Sequence, residues 1–150
     1  MTREPWDQHS EAAEPQDPRQ YAFDGDDQAP AQARHHVREA LWSWRMPEDT
    51  VDTAVLVVSE IMTNAVRHTT SSRIQLELLR REGEVEMSVQ DCGPRPIRPL
   101  RLICAEAGDG WGESGRGLGI VQRLASRWGA AEAGLGLRVW AAIDTKDDVR

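Results

Sequence analysis

The sequence predicts an α+β domain in which helices cover one face of a mostly antiparallel sheet. Segments with strand-like alternation and segments with helical periodicity are grouped along the chain, and do not alternate regularly. Two of the strand-like segments are joined by a short turn, as in an antiparallel hairpin. The chain has 150 residues, the size of one ordinary domain. We therefore expect a two-layer α/β sandwich, in the order strand, two helices, hairpin, long loop, helix and hairpin.

The first residues divide into a tail and a strand. Residues 1–18 are rich in Glu, Asp, Gln and Pro and have almost no aliphatic side chains, so we expect a disordered acidic tail. In RQYAFD (19–24), Tyr21 and Phe23 alternate with smaller or polar residues, which indicates a short edge strand. We place the folded domain at residues 19–145 and a short C-terminal tail at 146–150.

Two amphipathic helices should follow. The first runs from about Pro30, with Pro in its first turn, and its apolar residues recur every three or four positions: Ala33, Val37, Leu41 and Trp44. The second begins after Pro47, with Asp49 or Thr50 as the cap, and continues to about His68. Its core-facing stripe consists of Val51, Val55, Val58, Met62 and Ala65. We expect Trp42, Trp44 and Trp128 to be packing residues.

The second half of the sequence contains two predicted hairpins separated by a loop and a helix. Strands at about 73–80 and 84–90 flank a turn at Glu82 and Gly83. Residues 92–115 contain three prolines and five glycines and show no sustained period, which is typical of a functional loop such as a lid. A helix over 117–128 and strands at about 130–133 and 137–143 complete the domain.

Composition restricts the classes of function. The net charge of −7 repels phosphate backbones, which argues against a nucleic-acid partner. The longest apolar run, Ala54 to Val58, is too short to span a bilayer, and the N-terminus does not resemble a secretion signal, so we expect a cytoplasmic protein without membrane association. Cys92 and Cys104 lack metal-site spacing and are interpreted as reduced, metal-free thiols.

Glu60, Asn64 and His68 form a polar row on the second predicted helix. Their spacing of four places them on one side, roughly opposite the stripe of Val51, Val58 and Met62. Such a row is commonly a solvated helix face. Leu56 and Val57, one turn before Glu60 on about the same face, suggest instead that this side is partly covered, and a covered polar row needs a ligand or partners.

Two glycine-containing motifs follow. Asp91 and Gly93 end a predicted strand, where they form either a simple turn or a place for a carboxylate to accept a hydrogen bond from the adenine amine beside a small residue. The second motif opens a helix, as either a cap or a cradle for phosphate groups, and consists of Gly115, Arg116, Gly117, Leu118 and Gly119. It matches neither the Walker loop nor the dinucleotide fingerprint.

Taken in order, SEIMTNAVRH, a strand ending in DCG, and GRGLGIVQRLASRWG resemble the N-box and the two glycine boxes of the histidine-kinase-like ATPase superfamily. The resemblance covers about residues 19–143. Within that superfamily the chain is similar to stand-alone anti-sigma-factor serine-protein kinases. The resemblance implies the Bergerat ATP-binding fold, with ATP and Mg²⁺ as cofactors.

The resemblance also implies roles for individual residues. Asn64 would hold the magnesium ion, Asp91 would bind the adenine amine with Gly93 leaving room beside the base, and Glu60 would be the catalytic base. The lid and phosphate cradle would be formed by Gly115, Arg116, Gly117, Leu118 and Gly119. It assigns no clear role to His68, Cys104 or Trp111. Arg138 stands about where relatives have a Thr that supports the aspartate, which predicts either weaker nucleotide binding or a one-residue slip of the alignment in this Gly-rich stretch.

The function implied is that of a serine/threonine-protein kinase that phosphorylates a small antagonist protein and sequesters a sigma factor. Relatives of this kind commonly form homodimers. A different reading remains open, in which the chain is a nucleotide-dependent protein-binding switch that transfers no phosphoryl group.

Overall fold

The computed structural model describes residues 16–68, 73–91, 119–133 and 136–145. The predicted loop 92–115 and both chain ends lie outside the described residues. In chain order the elements are β1 (Gln16–Asp24), α1 (Ala29–Ser43), α2 (Glu48–His68), β2 (Arg73–Arg81), β3 (Glu84–Asp91), α3 (119–124), β4 (Arg127–Ala133) and β5 (Gly136–Asp144).

The five strands form one antiparallel sheet in the order β1-β2-β3-β5-β4. The predicted fold class and the edge position of β1 are therefore confirmed. The last strand, β5, lies between β3 and β4, so the second hairpin extends the sheet formed by the first. Gly83 makes the turn between β2 and β3 with a φ of +84°, a conformation that glycine adopts without steric cost.

The helices lie on one face of this sheet. α1 packs along α2, while α1 also contacts β1 and α2 also contacts β3 and β5. The sheet residues that face the helices alternate along their strands and are at most 4% exposed: Ile74, Leu76, Leu78, Val85, Met87, Val89, Leu137, Val139, Ala141 and Ile143. This alternation is the pattern of a half-covered antiparallel sheet. None of the described helices is both long and apolar enough to cross a membrane.

Both long helices are close to their predicted positions. In α1 the predicted apolar residues Ala33, Val37, Leu41 and Trp44 are all buried. In contrast, Trp42 is 59% exposed, so the prediction that it is a packing residue is wrong; it lies outside the three-to-four periodicity. α2 begins at Glu48, before the predicted caps, because the Val51 N–H already bonds to the Pro47 carbonyl.

Two strands begin earlier than predicted. β1 includes residues 16–18, which we expected in the tail, and its pairing with β2 shifts register between Gln16 and Arg19. β4 begins at Arg127, so the helix predicted over 117–128 ends earlier, at residue 124. The reason is a contact with a distant strand: both the N–H and the hydroxyl of Ser126 donate to the Ala142 carbonyl of β5. The chain therefore joins the sheet before the helical pattern of the sequence ends.

Candidate functional site

The topology brings the C-terminal ends of α2 and β3 to the same end of the domain. Only residues 69–72 separate the end of α2 from β2, and Ile74, near the start of β2, pairs with Asp91. Asn64 lies about one turn before the helix end. The N-box and the strand-end aspartate, which are distant in sequence, therefore lie at the same end of the domain.

Asn64 is buried on α2, and its side chain has no hydrogen-bond partner among the described residues. The residue is 4% exposed, and within the described ranges neither Nδ2 nor Oδ1 is hydrogen-bonded. Val57 and Ile61, on the same side of the helix, are fully buried, so this position is not part of a solvated helix face. A buried amide left unsatisfied costs about 1–3 kcal/mol, which is unusual enough in a native protein to indicate a ligand.

Glu60 lies one turn before Asn64 and is half-buried. Its neighbour Ser59 accepts a hydrogen bond from Arg34 Nη1 of α1 at 2.9 Å, which fixes the two helices against each other beside the glutamate. Leu56, one turn before Glu60, is 46% exposed, so the expectation that it lies on a covered side is wrong, whereas Val57 is buried as expected. The polar row therefore passes from a partly solvated position at Glu60 to a covered one at Asn64. The side chain of His68 lies outside the described residues.

Asp91 is held at the end of β3 by the neighbouring strand. It is 1% exposed, and its Oδ2 accepts a hydrogen bond from the backbone N–H of Leu137 at 3.2 Å. Gly136 makes this approach possible, because a Cβ at that position would lie 2.1 Å from the Asp91 carbonyl oxygen and 2.4 Å from Oδ1. Neither Gly136 nor Leu137 was identified from the sequence; a glycine at the predicted start of a strand was the available signal.

Arg138 does not take the place of a side chain that supports Asp91. It pairs with Gln90 across the sheet, and its Nη2 lies 3.6 Å from Oε2 of Glu86. Glu86 also binds Arg81, which is 9% exposed. The Leu137 main chain is one support of the Asp91 carboxylate, and weaker nucleotide binding at this position stays a prediction.

The remaining predicted site residues are only partly described. Gly119 is the first described residue of α3, whose Val121 is buried in the core. Gly93, Gly115, Arg116, Gly117 and Leu118 lie outside the described residues, as do Cys92, Cys104 and Trp111. The lid and phosphate cradle therefore stay predictions.

Magnesium is the metal that the resemblance implies for this site. Within the described ranges, no group of three or more His, Cys, Asp or Glu side chains is arranged to hold a metal ion. Mg²⁺ does not require such a cage, because it usually retains several waters and binds through one or two protein oxygens together with substrate phosphates. The unpartnered Oδ1 of Asn64 is an oxygen donor of this kind, so the residues present fit magnesium bound with a nucleotide.

Comparisons with known proteins identify the family and the fold of the chain. Residues 23–143 match the protein family described as histidine kinase-like ATPase domain. A crystal structure of the RsbU and RsbW domains of Rv1364c from Mycobacterium tuberculosis is similar in fold, with a TM-score of 0.66 and 20% sequence identity. The match covers 89% of this chain and 34% of that one, so the chain spans about a third of its length. No curated protein matches the sequence.

Proposed function

Because the chain belongs to the family of histidine kinase-like ATPase domains, we propose that it binds Mg-ATP and acts as a serine/threonine-protein kinase of the anti-sigma-factor type. Its substrate would be a Ser or Thr on a small antagonist protein, and its other partner a sigma factor, with both encounters in the cytoplasm. The observation that carries ATP binding is the buried, unpartnered amide of Asn64 at the end of α2. Homodimer formation remains a prediction from the resemblance.

Asn64 and Asp91 divide nucleotide recognition between them. The Asn64 side-chain oxygen would hold magnesium, and this would offset the cost of burying the amide. Asp91 accepts a hydrogen bond from the adenine amine, and the Leu137 N–H fixes the orientation of its carboxylate. Gly93 leaves room beside the base, while the segment from Gly115 to Gly119 supplies backbone N–H groups for the phosphates.

Glu60 is the proposed catalytic base. When bound, Mg-ATP supplies the γ-phosphoryl group that is transferred. The Glu60 carboxylate accepts the proton of the attacking Ser or Thr hydroxyl, and its half-buried position leaves it accessible to a partner's side chain. The hydrogen bond between Arg34 and Ser59 holds this part of α2 in place.

Nucleotide binding is tested by calorimetry on the full chain with Mg-ATP and Mg-ADP. We expect the wild type to bind both nucleotides and Asp91→Ala to bind at least about tenfold more weakly, the factor that corresponds to 1.4 kcal/mol. Asp27→Ala, which removes an exposed carboxylate from the turn before α1, is the matched control and should bind normally. If the wild type binds neither nucleotide, the proposed function fails.

Phosphoryl transfer is tested separately with labelled ATP and candidate antagonist proteins. Glu60→Gln should lower the transfer rate about 10²- to 10⁴-fold, the usual contribution of a general base, while ATP affinity stays nearly unchanged. Undiminished transfer by Glu60→Gln would remove its assigned role. Partner binding that depends on nucleotide, with no phosphorylated product at long times, would instead identify the non-catalytic switch.

A further inference from the structure

The outer face of α1 carries a large aromatic side chain between two cations. Trp42 is 59% exposed, more than any other large hydrophobic side chain among the described residues. Arg38 lies one helical turn before it on the same side of α1 and is exposed. Arg45, also exposed, follows the C-cap of α1, and its N–H donates to the Trp42 carbonyl at 2.9 Å. We call these three residues the outer patch of α1.

The two arginines of the outer patch are unpaired within the described part of the chain. Neither Arg38 nor Arg45 takes part there in a salt bridge or a side-chain hydrogen bond. In contrast, Arg19, Arg81 and Arg127 each bind a carboxylate. The chain as a whole is acidic, with a net charge of −7, so the patch is a local exception. It fits a segment with carboxylates and an apolar side chain, and Trp and Arg often dominate the binding energy of interfaces.

Arg45 stands at a backbone position that favours glycine. Its φ is +61°, in the left-handed region, and the Met46 N–H bonds to the Leu41 carbonyl at 3.0 Å. This pattern of bonds ends many helices, usually with glycine where Arg45 stands. The turn therefore does not account for an arginine here. Backbone strain of this kind clusters at binding positions, which supports a role for the guanidinium group.

The first strand enters the domain next to this patch. Nε1 of Trp44 donates to Oδ2 of Asp17 at 2.7 Å, and Nη2 of Arg19 donates to the Ser43 hydroxyl at 3.0 Å. These two contacts hold the beginning of β1 against the C-terminal end of α1, within about one helical turn of the outer patch. Residues 1–15, which lie outside the described residues, are therefore joined to the domain beside the patch. We call residues 1–15 the N-terminal segment.

The N-terminal segment has the chemistry that complements the outer patch. It contains four carboxylates and one arginine, and its Trp6 stands between Glu4 and Asp7. An indole flanked by two anions is the counterpart of an indole flanked by two cations. Between Trp6 and Asp17 the chain can extend up to about 36 Å, more than the roughly 22 Å length of α1. Such a tether gives an effective concentration of about millimolar, so even a weak contact within the chain is populated.

We propose that the N-terminal segment docks on the outer patch of the same chain. The carboxylates of Glu4 and Asp7 pair with the two arginines of the patch, and the Trp6 indole packs against Trp42. A segment without a core of its own can still be ordered by a surface that it binds. Docking covers the patch, so an acidic segment of a partner protein reaches it only by displacing the N-terminal segment. The proposal does not depend on ATP binding or on kinase activity.

The test is NMR spectroscopy of the ¹⁵N-labelled full chain at low salt. We expect nuclear Overhauser effects between the rings of Trp6 and Trp42, and their loss in the double variant R38Q/R45Q. That variant should also shift the indole N–H signal of Trp6, which is remote from both substitutions in sequence. In return, Trp6→Ala should shift the indole N–H signal of Trp42 and the amide signals of residues 38–46.

Two matched variants control for indirect effects. Gln8→Ala changes a neutral side chain of the N-terminal segment, and Arg123→Gln removes an exposed arginine from α3. Neither substitution touches a group that the proposed contact uses. Both variants should therefore leave the indole N–H signals of Trp6 and Trp42 at their wild-type positions.

Salt and dilution identify the forces and the occupant. Raising the ionic strength from about 0.05 M to about 0.5 M should move the Trp6 signal in the direction seen in R38Q/R45Q, because salt screens exposed charge pairs. Dilution by about tenfold should change nothing, because the segment and the patch belong to one chain. Signals that revert on dilution would assign the contact to a second copy of the chain and overturn docking within one molecule. Patch signals that do not respond to Trp6→Ala would also overturn the proposal, and would leave the patch to an acidic segment of a partner protein.

Discussion

The backbone N–H of Leu137 donates to Oδ2 of Asp91, with 3.2 Å between the two atoms, and this contact joins the ends of β5 and β3. This hydrogen bond depends on Gly136, because a Cβ at position 136 would overlap the Asp91 carbonyl oxygen. The orientation of the proposed adenine-binding carboxylate is therefore set by a strand that follows it by more than forty residues. Substitutions in β5 should therefore change nucleotide affinity indirectly, through the orientation of Asp91.

Gly136→Ala should lower Mg-ATP affinity at least about tenfold and destabilise the fold by about 1–3 kcal/mol, the usual cost of forcing extra atoms into a packed site. Calorimetry and urea unfolding measure the two effects. The control is Gly129→Ala, whose added Cβ would have the Trp140 ring as its nearest neighbour; it should leave Mg-ATP affinity unchanged, whatever its effect on stability. Normal affinity in Gly136→Ala would contradict the proposed role of this contact.

Replacing Asn64 should raise the stability of the fold and abolish nucleotide binding. In Asn64→Leu the unpartnered buried amide is lost, so the free energy of unfolding without ligand should rise by about 1–2 kcal/mol, while Mg-dependent ATP binding is abolished. Thermal unfolding with and without Mg-ATP measures both. Thr63→Val, at the adjacent half-buried position, should leave both properties within about 0.5 kcal/mol. A destabilised Asn64→Leu protein would mean that the amide has structural partners.

Two tryptophans near the end of α1 should respond differently to the same substitution. Trp44 is 5% exposed and its Nε1 donates to Asp17 at 2.7 Å, while Arg19 lies over its ring at 5.4 Å. Trp44→Phe should lower the free energy of unfolding by about 1–2 kcal/mol, because the smaller ring leaves space in the core. Trp42→Phe, at an exposed position, should stay within about 0.5 kcal/mol. Equal effects of the two substitutions in chemical denaturation would contradict the assignment of Trp44 to the core and Trp42 to the surface.

The stability of the fold should decrease at mildly acidic pH because of His36. Burial, and next the neighbouring His35, lower the pKa of His36, whose ring stacks on Tyr21 with 4.2 Å between ring centroids. The folded pKa is below the unfolded value of about 6.5, so the unfolded chain binds more protons between the two. The free energy of unfolding should therefore be constant above about pH 7 and fall as the pH drops through the unfolded pKa.

Urea unfolding at several pH values checks this dependence. His36→Gln should flatten the profile between about pH 7 and pH 5, whatever its effect on stability at high pH. His35→Gln is the control: its side chain is 64% exposed, and most of the pH dependence should remain because burial is the larger cause of the shift. An unchanged slope in His36→Gln would show that another group is responsible.

Much of the fold follows from local patterns that are visible in the sequence. The burial of Ala33, Val37 and Leu41 was predicted from helical spacing, and the β2–β3 hairpin from alternation around Gly83. These predictions succeed because the periods of helices and strands determine which residues can share a face. The N-box and the strand-end aspartate were also visible as motifs, and the family match agrees with the resemblance they carry.

Other features depend on contacts between distant segments. The sequence did not indicate that β5 would lie between β3 and β4, that Ser126 would end α3 early, or that Leu137 and Gly136 would hold Asp91. It left open whether Asn64 faces solvent, because helical spacing places a residue on a side of the helix without saying what covers that side. Only tertiary packing buries this amide, which has no hydrogen-bond partner among the described residues. The sequence by itself determined which chemical groups are present and in what order; the fold decided which of them are desolvated, and desolvation creates the need for a ligand.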